Sequence, residues 1–205
     1  MKRMAWGAVL AISATALLAG CSSPTPGQAQ ASPTGQTTTS TVTQDGPTSS
    51  GSPSPAPKVT KPLDASKMVA NPCSALTPDD VTSLRITKPL TKATTDATGS
   101  DCGWTGESGG TIGISWVTAN TSGLSDLYAK ASTIAYWQPV TVDGYPAAFG
   151  DSIKDERPQG VCALNVAVND HLYFFSQFVN PSNAGQSCEL ARQAASYVLK
   201  NLGSS

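Results

Sequence analysis

Val161-Cys-Ala-Leu-Asn-Val-Ala-Val168-Asn169-Asp170-His171-Leu-Tyr-Phe-Phe-Ser-Gln-Phe-Val179 is the stretch on which the fold turns. Two runs rich in β-branched and aromatic residues flank a short polar pair, Asn169-Asp170, so the segment reads as a β-hairpin with a two-residue loop. Downstream, Cys188, Ala191, Ala195, Val198 and Leu202 fall on one face at helical spacing, and Gly203 follows as a stop signal. Upstream, Gln138–Val142 and Tyr145–Phe149 flank Asp143-Gly144, a second hairpin signal.

The same reading extends toward the N-terminus. Cys102–Thr105 and Thr111–Ala119 are strands joined by Gly106–Gly110, with Ile112, Ile114 and Trp116 alternating onto one face. Leu124, Leu127, Tyr128 and Ala131 have helical spacing. Thr77-Pro78-Asp79-Asp80 opens a short helix ending near Leu84: Thr77 suits the N-cap, Pro78 the first helical position, and the two Asp favour its positive end. Leu76 and Val81 stand at staple positions. The order helix, strands, helix, strands, helix predicts an α+β domain, an antiparallel sheet with helices packed on one face.

Before this domain the composition changes twice. Lys2 and Arg3 precede an apolar run, Met4–Leu18, that is too short to span a bilayer and reads as a signal-peptide core. It closes on Leu18-Ala19-Gly20-Cys21, which resembles the lipobox of bacterial lipoproteins. That resemblance implies cleavage between Gly20 and Cys21 and a diacylglyceryl group on Cys21. With more than one acyl chain the attachment is firm. Residues 22–62 then hold 8 Ser, 9 Thr and 8 Pro among 41 positions, with no aromatic, Leu or Ile. Such a segment buries too little apolar surface to offset its conformational entropy. The expected organisation is a signal peptide over 1–20, a disordered tether over 21–66 with Cys21 lipidated, and a globular domain over 67–205. The expected location is the extracytoplasmic side of the cell membrane, held by lipid.

Charge narrows the function. The chain of 205 residues has 13 basic and 14 acidic side chains and a net charge of −1. No basic face is available for nucleic acid. One His and five Cys leave no material for a multi-His or Cys/His metal cluster, so no metal and no cofactor are expected. With Cys21 lipidated, Cys73, Cys102, Cys162 and Cys188 remain. In an exported domain that even number implies two disulfides with three possible connectivities. The expected pairing is Cys73–Cys102 and Cys162–Cys188. It would tie the N-terminal helical region to a central strand, and the C-terminal helix to the strand that begins at Val161.

Several short motifs recur in a recognisable order: Asn71-Pro72-Cys73-Ser74-Ala75-Leu76-Thr77, Cys102-Gly103-Trp104, Val142-Asp143-Gly144-Tyr145-Pro146-Ala147, then Cys162 in a strand and Cys188 opening the last helix. With the lipobox and the tether, the chain resembles the actinobacterial lipoproteins called domain of unknown function 3558. The resemblance covers most of residues 70–202. It implies an exported, lipid-anchored domain with paired cysteines, and no reaction.

Chemistry is hard to find. Gly106-Glu107-Ser108-Gly109-Gly110 matches the G-x-S-x-G nucleophile elbow, but the elbow requires strand, turn and helix, and here a strand follows. The alternative reading is nevertheless an envelope hydrolase that uses Ser108 or acidic residues such as Glu107 and Asp101. His171 is the only possible imidazole base. The aromatics are better candidates for binding. Trp104 and Trp116 read as core, whereas Tyr136 and Trp137 stand just ahead of a strand, and with Tyr145 and Phe149 they are the candidate ligand-binding residues. The expected function is a non-catalytic binding or accessory module of the cell envelope. Its partner is an envelope protein, a glycan or a small ligand. A ligand sensor acting through a partner protein is a further alternative.

Overall fold

The computed structural model describes residues 55–151 and 153–204. The expected signal peptide, Gly20, Cys21 and the tether as far as residue 54 lie outside the described residues.

The Val161–Val179 stretch forms the centre of the sheet. β6 (Val161–Asn169) pairs antiparallel with β7 (Leu172–Val179), from Val161 opposite Val179 to Asn169 opposite Leu172. The two-residue loop is therefore Asp170-His171, one position later than the sequence implied. The reason is local. The Asn169 side chain accepts the His171 N–H at 2.9 Å, an Asx-type turn that begins at Asn169. The ladder absorbs the slip in an irregularity between Ala167 and Asn169. The second hairpin is formed as read. β4 (Tyr136–Val142) and β5 (Tyr145–Asp151) meet with Val142 opposite Tyr145. Asp143 (φ 49°) and Gly144 (φ 85°) are both left-handed, as a type I′ turn demands.

The sheet has seven antiparallel strands in the order β1-β2-β3-β7-β6-β5-β4, with β1 Leu90–Thr95, β2 Gly99–Thr105 and β3 Thr111–Val117. β1 has no counterpart in the sequence reading. All six of its residues are exposed and it carries no apolar alternation, so periodicity had nothing to detect. It is an edge strand, and Lys92 at its middle blunts that edge.

One face of the sheet is covered by the C-terminal helix. Numbering the helices in chain order, α1 is Ser66–Ala70, α2 Pro78–Ser83, α3 Ser125–Tyr128 and α4 Ser187–Gly203. Ala191, Ala194 and Ala195 of α4 are small enough to bring the helix close to the strands. There it buries Leu190, Val198 and Leu202 against Ile112, Ile114, Trp116, Leu164, Val166, Phe174 and Phe178. Buried Ser176 donates its hydroxyl to the Ala191 carbonyl at 2.9 Å, so the close approach leaves no orphaned hydroxyl. α2 begins at a complete capping box between Thr77 and Asp80, with Pro78 in the first turn.

Both expected disulfides are formed. Cys73–Cys102 ties the turn Pro72–Ala75 to β2, and Cys162–Cys188 ties β6 to α4. With separations of 29 and 26 residues, chain entropy assigns about 3.5 kcal/mol to each.

The second face carries a partial layer of its own. β4 lies four places from β3 in the sheet, and α4 occupies one face. The connection from β3 to β4 therefore crosses the other, placing Leu124 against Ala167 and Tyr173. Residues 55–65, expected to belong to the tether, are packed instead: Ala56 and Val59 join this layer, and Leu63 and Ala65 pack into the main core. Ala56 and Val59 are each only 8% exposed within the same cluster. The Leu63 N–H donates to the Val168 carbonyl at 2.9 Å, and the Val59 N–H to the Asp170 carboxylate at 3.1 Å. Two apolar side chains in a polar segment suffice because the slot receiving them is already shaped by Leu124 and Tyr173. The tether boundary drawn at residue 66 thus moves back to residue 55 at the latest.

Candidate functional site

Alternation along the central strands sends a second set of side chains to the face away from α4. On β6 and β7 these include Val161, Ala163, Asn165, Phe175 and Gln177. Asn165 is opposite Phe175 and Ala163 opposite Gln177. Beyond the Leu124 cluster this face opens into a groove of about 250 Å³. Its floor is β6 and β7. One wall is Leu127 and Ile134 of the β3–β4 connection, and the other is Trp137, Gly150 and Asp151 of the β4–β5 hairpin. Ile153, 93% exposed, and Glu156 stand at its lip.

The four candidate aromatics are divided among different places. Tyr136 and Trp137, read as preceding the strand, are its first two residues and point to opposite sides of β4. Trp137 lines the groove and meets the Tyr128 ring edge-on, centroids 5.1 Å apart. Tyr136 lies beneath the Arg157 guanidinium, 3.2 Å from its ring centroid, and bonds Gln138 through its hydroxyl. Arg157 is held in turn by both oxygens of Asp155, at 2.8 and 2.6 Å, and this hydrogen bonding keeps the Asp155 carboxyl below its ordinary value. Tyr145 is half-buried where the two apolar clusters meet, and Phe149 is in the main core under Arg192. Of the four, Trp137 alone lines the groove. Trp104 and Trp116 are core residues, as read.

Asn165, Phe175 and Gln177 on the floor escaped the sequence reading. The signal was available, since all three have the opposite parity to Leu164, Phe174 and Phe178 within strands that were recognised. Polar side chains at alternate positions read as solvent-facing, and nothing local shows that a second layer rises around them.

The hydrolase candidates are not brought together. Ser108 is exposed at the tip of the β2–β3 hairpin, and neighbouring Glu107 is paired with Lys88 at 3.1 Å. His171 is in the β6–β7 loop, with Nδ1 3.0 Å from the Thr121 carbonyl. The register puts the Ser108 turn at the Thr111/Val179 end of the sheet and His171 at the Val117/Tyr173 end. Six residue steps separate these ends, roughly 20 Å. Asp101 pairs opposite Ser115, in the body of the sheet. Among the described residues no group of three His, Cys, Asp or Glu is placed to hold a metal ion.

A family model described as a protein of unknown function, DUF3558, matches residues 16–201. The chain belongs to that family. No curated protein and no solved structure matches it. The DUF3558 match takes in Cys21, all four disulfide cysteines, the β6–β7 hairpin and nearly all of α4. The groove therefore lies wholly within the part of the chain that defines DUF3558 membership.

Proposed function

We propose that this DUF3558 protein is a lipid-anchored module of the extracytoplasmic envelope. It binds a ligand or partner in the Trp137 groove and performs no chemistry of its own. The anchor is read from Leu18-Ala19-Gly20-Cys21 behind a charged start and an apolar core. The observation that carries the binding reading is the groove itself: a concave, partly apolar site, with convergent amides on its floor, on the sheet face that α4 leaves open. The separation of Ser108 from His171 weighs against the hydrolase alternative, because an acyl-transfer site needs nucleophile and base in hydrogen-bonding contact.

Two measurements test this. Cys21→Ala should abolish lipid labelling and release the protein from the membrane fraction; retention refutes the anchor. A photo-crosslinking residue at Ile153, on the groove lip, should give one reproducible adduct on intact cells. The same residue at exposed Lys200 on α4 should not. Equal or absent adducts from both positions refute the binding site.

A further inference from the structure

The groove's chemistry selects among ligand classes, and this inference rests on the binding reading above. Asn165 and Gln177 are diagonal neighbours on β6 and β7, their side chains about 7 Å apart on the groove floor. Asn165 donates one N–H to the Ala148 carbonyl at 3.3 Å, which leaves its carbonyl oxygen facing no protein donor among the described residues. Among the described residues the Gln177 amide has no hydrogen-bond partner. An aliphatic ligand seated here would strip water from these amides and return no hydrogen bond, an unfavourable exchange. An anionic ligand would meet Asp151 and Glu156 and no Lys or Arg among the lining residues. Asp151 accepts the Glu156 N–H at 3.0 Å and Glu156 pairs with Lys154 at 3.3 Å at the edge of the groove, so an organic cation, which only donates, would find its counter-charges there and leave the N–H groups of the floor amides unmatched. What these conditions leave is a neutral ligand. It needs hydroxyls that both donate and accept, to match the amides, and an apolar C–H face for Trp137 and Phe175.

We propose that the groove binds a neutral sugar ring of a glycan. Phe175 and Trp137 supply the apolar platform, and Gln177 and Asn165 take the hydroxyls. The volume of about 250 Å³ falls below the usual range for drug-sized ligands, so one ring is seated and the rest of the glycan runs out over the lip at Ile153.

The test uses the mature full chain with tetrasaccharides of glucose, mannose and N-acetylglucosamine, read by ligand-observed NMR, with decan-1-ol as the aliphatic comparison. At least one tetrasaccharide should bind with a Kd of roughly millimolar or tighter. Gln177→Ala should weaken it about tenfold with an unchanged melting curve, the loss expected for one or two hydrogen bonds. Trp137→Ala should abolish it. If no tetrasaccharide binds while decan-1-ol binds and is displaced by bulk at position 150, the glycan assignment falls and the binding module stands. If neither class binds, the glycan assignment falls, and the Ile153 crosslink decides the binding module. Tetrasaccharide binding that is indifferent to Gln177→Ala and Trp137→Ala also overturns the assignment.

Discussion

Asp80 and Asn201 are hydrogen-bonded, Nδ2 of Asn201 donating to Oδ2 of Asp80 at 2.9 Å, so the first turn of α2 is fastened to the last turn of α4 across 121 residues of chain. The same carboxylate oxygen accepts from the Thr77 N–H at 2.9 Å and the Thr77 hydroxyl at 2.7 Å, while Thr77 Oγ1 accepts the Asp80 N–H at 3.2 Å. Helix capping and tertiary docking thus share one side chain.

That sharing gives a pH dependence. Partial burial raises the Asp80 carboxyl, but the hydrogen bonds from Asn201 and Thr77, helped by Lys200, outweigh it and leave the carboxyl below its unfolded value of 3.8. A carboxyl lower in the native state stabilises the fold above its unfolded value, and the contribution is lost as pH falls through the native value. Asp80→Asn should therefore lose about 1 kcal/mol in urea unfolding at pH 7. The gap to the parent should narrow as pH is lowered from 7 through the native value of Asp80. A gap that stays constant with pH would show that the charge is not what matters.

Gly160 ends the turn Arg157–Gln159 with φ 85°, and its carbonyl accepts both the Asn180 N–H at 2.8 Å and the Ser187 hydroxyl at 2.7 Å. A Cβ there would lie 2.3 Å from the Asn180 carbonyl oxygen, so backbone would have to move. Gly144 has the same φ of 85° and nothing within 4 Å of the corresponding position. Gly144→Ala should cost about 1–2 kcal/mol, the left-handed penalty alone. Gly160→Ala should cost about 3 kcal/mol or more, because the clash adds to that penalty. Thermal melts of the two variants compare them directly, and equal losses would mean that the Gly160 junction relaxes freely.

The strap at 55–61 depends on Asp170. Its carboxyl is lowered first by the Val59 N–H and then by Lys58, whose Nζ is 3.1 Å away. Asp170→Ala should free the strap while barely moving the melting point, since few apolar atoms change partners. Trypsin reports this at the Lys58–Val59 bond, which should be cut several-fold faster in the variant. Lys61 precedes Pro62 and does not compete. The strap should also loosen in acid, as pH falls through the lowered native value of Asp170 and the carboxyl loses its charge. Unchanged cleavage would show that Ala56 and Val59 hold the strap unaided.

Where local physics decided the structure, the sequence was sufficient. Asp143-Gly144 forms the type I′ turn, Thr77-Pro78-Asp79-Asp80 caps its helix, and the Ala-rich stripe of α4 meets the sheet. What could not be read depended on distant partners. Ala56 and Val59 look like tether until Leu124 and Tyr173 make a slot for them. Asn165 and Gln177 look like solvent-facing residues until the crossing from β3 to β4 raises a wall beside them. Tyr136 and Trp137 read as one pair because they are adjacent, yet adjacency within a strand sends side chains apart. The site is therefore much less legible than the fold, since its residues come from β4, β5, β6, β7 and two connections.

The Trp137 ring lies against its cross-strand partner Gly150, which can be used to test the groove without touching its floor. A Cβ at Gly150 would be 3.1 Å from Trp137 Cε3 and 3.3 Å from Cζ3, so the ring must swing toward the open side. Gly150→Val places still more bulk there. The groove should close partly and any ligand held against Trp137 should weaken at least about tenfold, equivalent to about 1.4 kcal/mol of lost contact. Stability should fall by only about 1 kcal/mol, because the displaced ring has solvent on one side and need not compress the core. Near-UV circular dichroism, which senses the Tyr128–Trp137 pair at 5.1 Å, should change shape while the far-UV signal holds. If ligand affinity survives that displacement unchanged, Trp137 is a bystander and the binding surface lies elsewhere on the sheet.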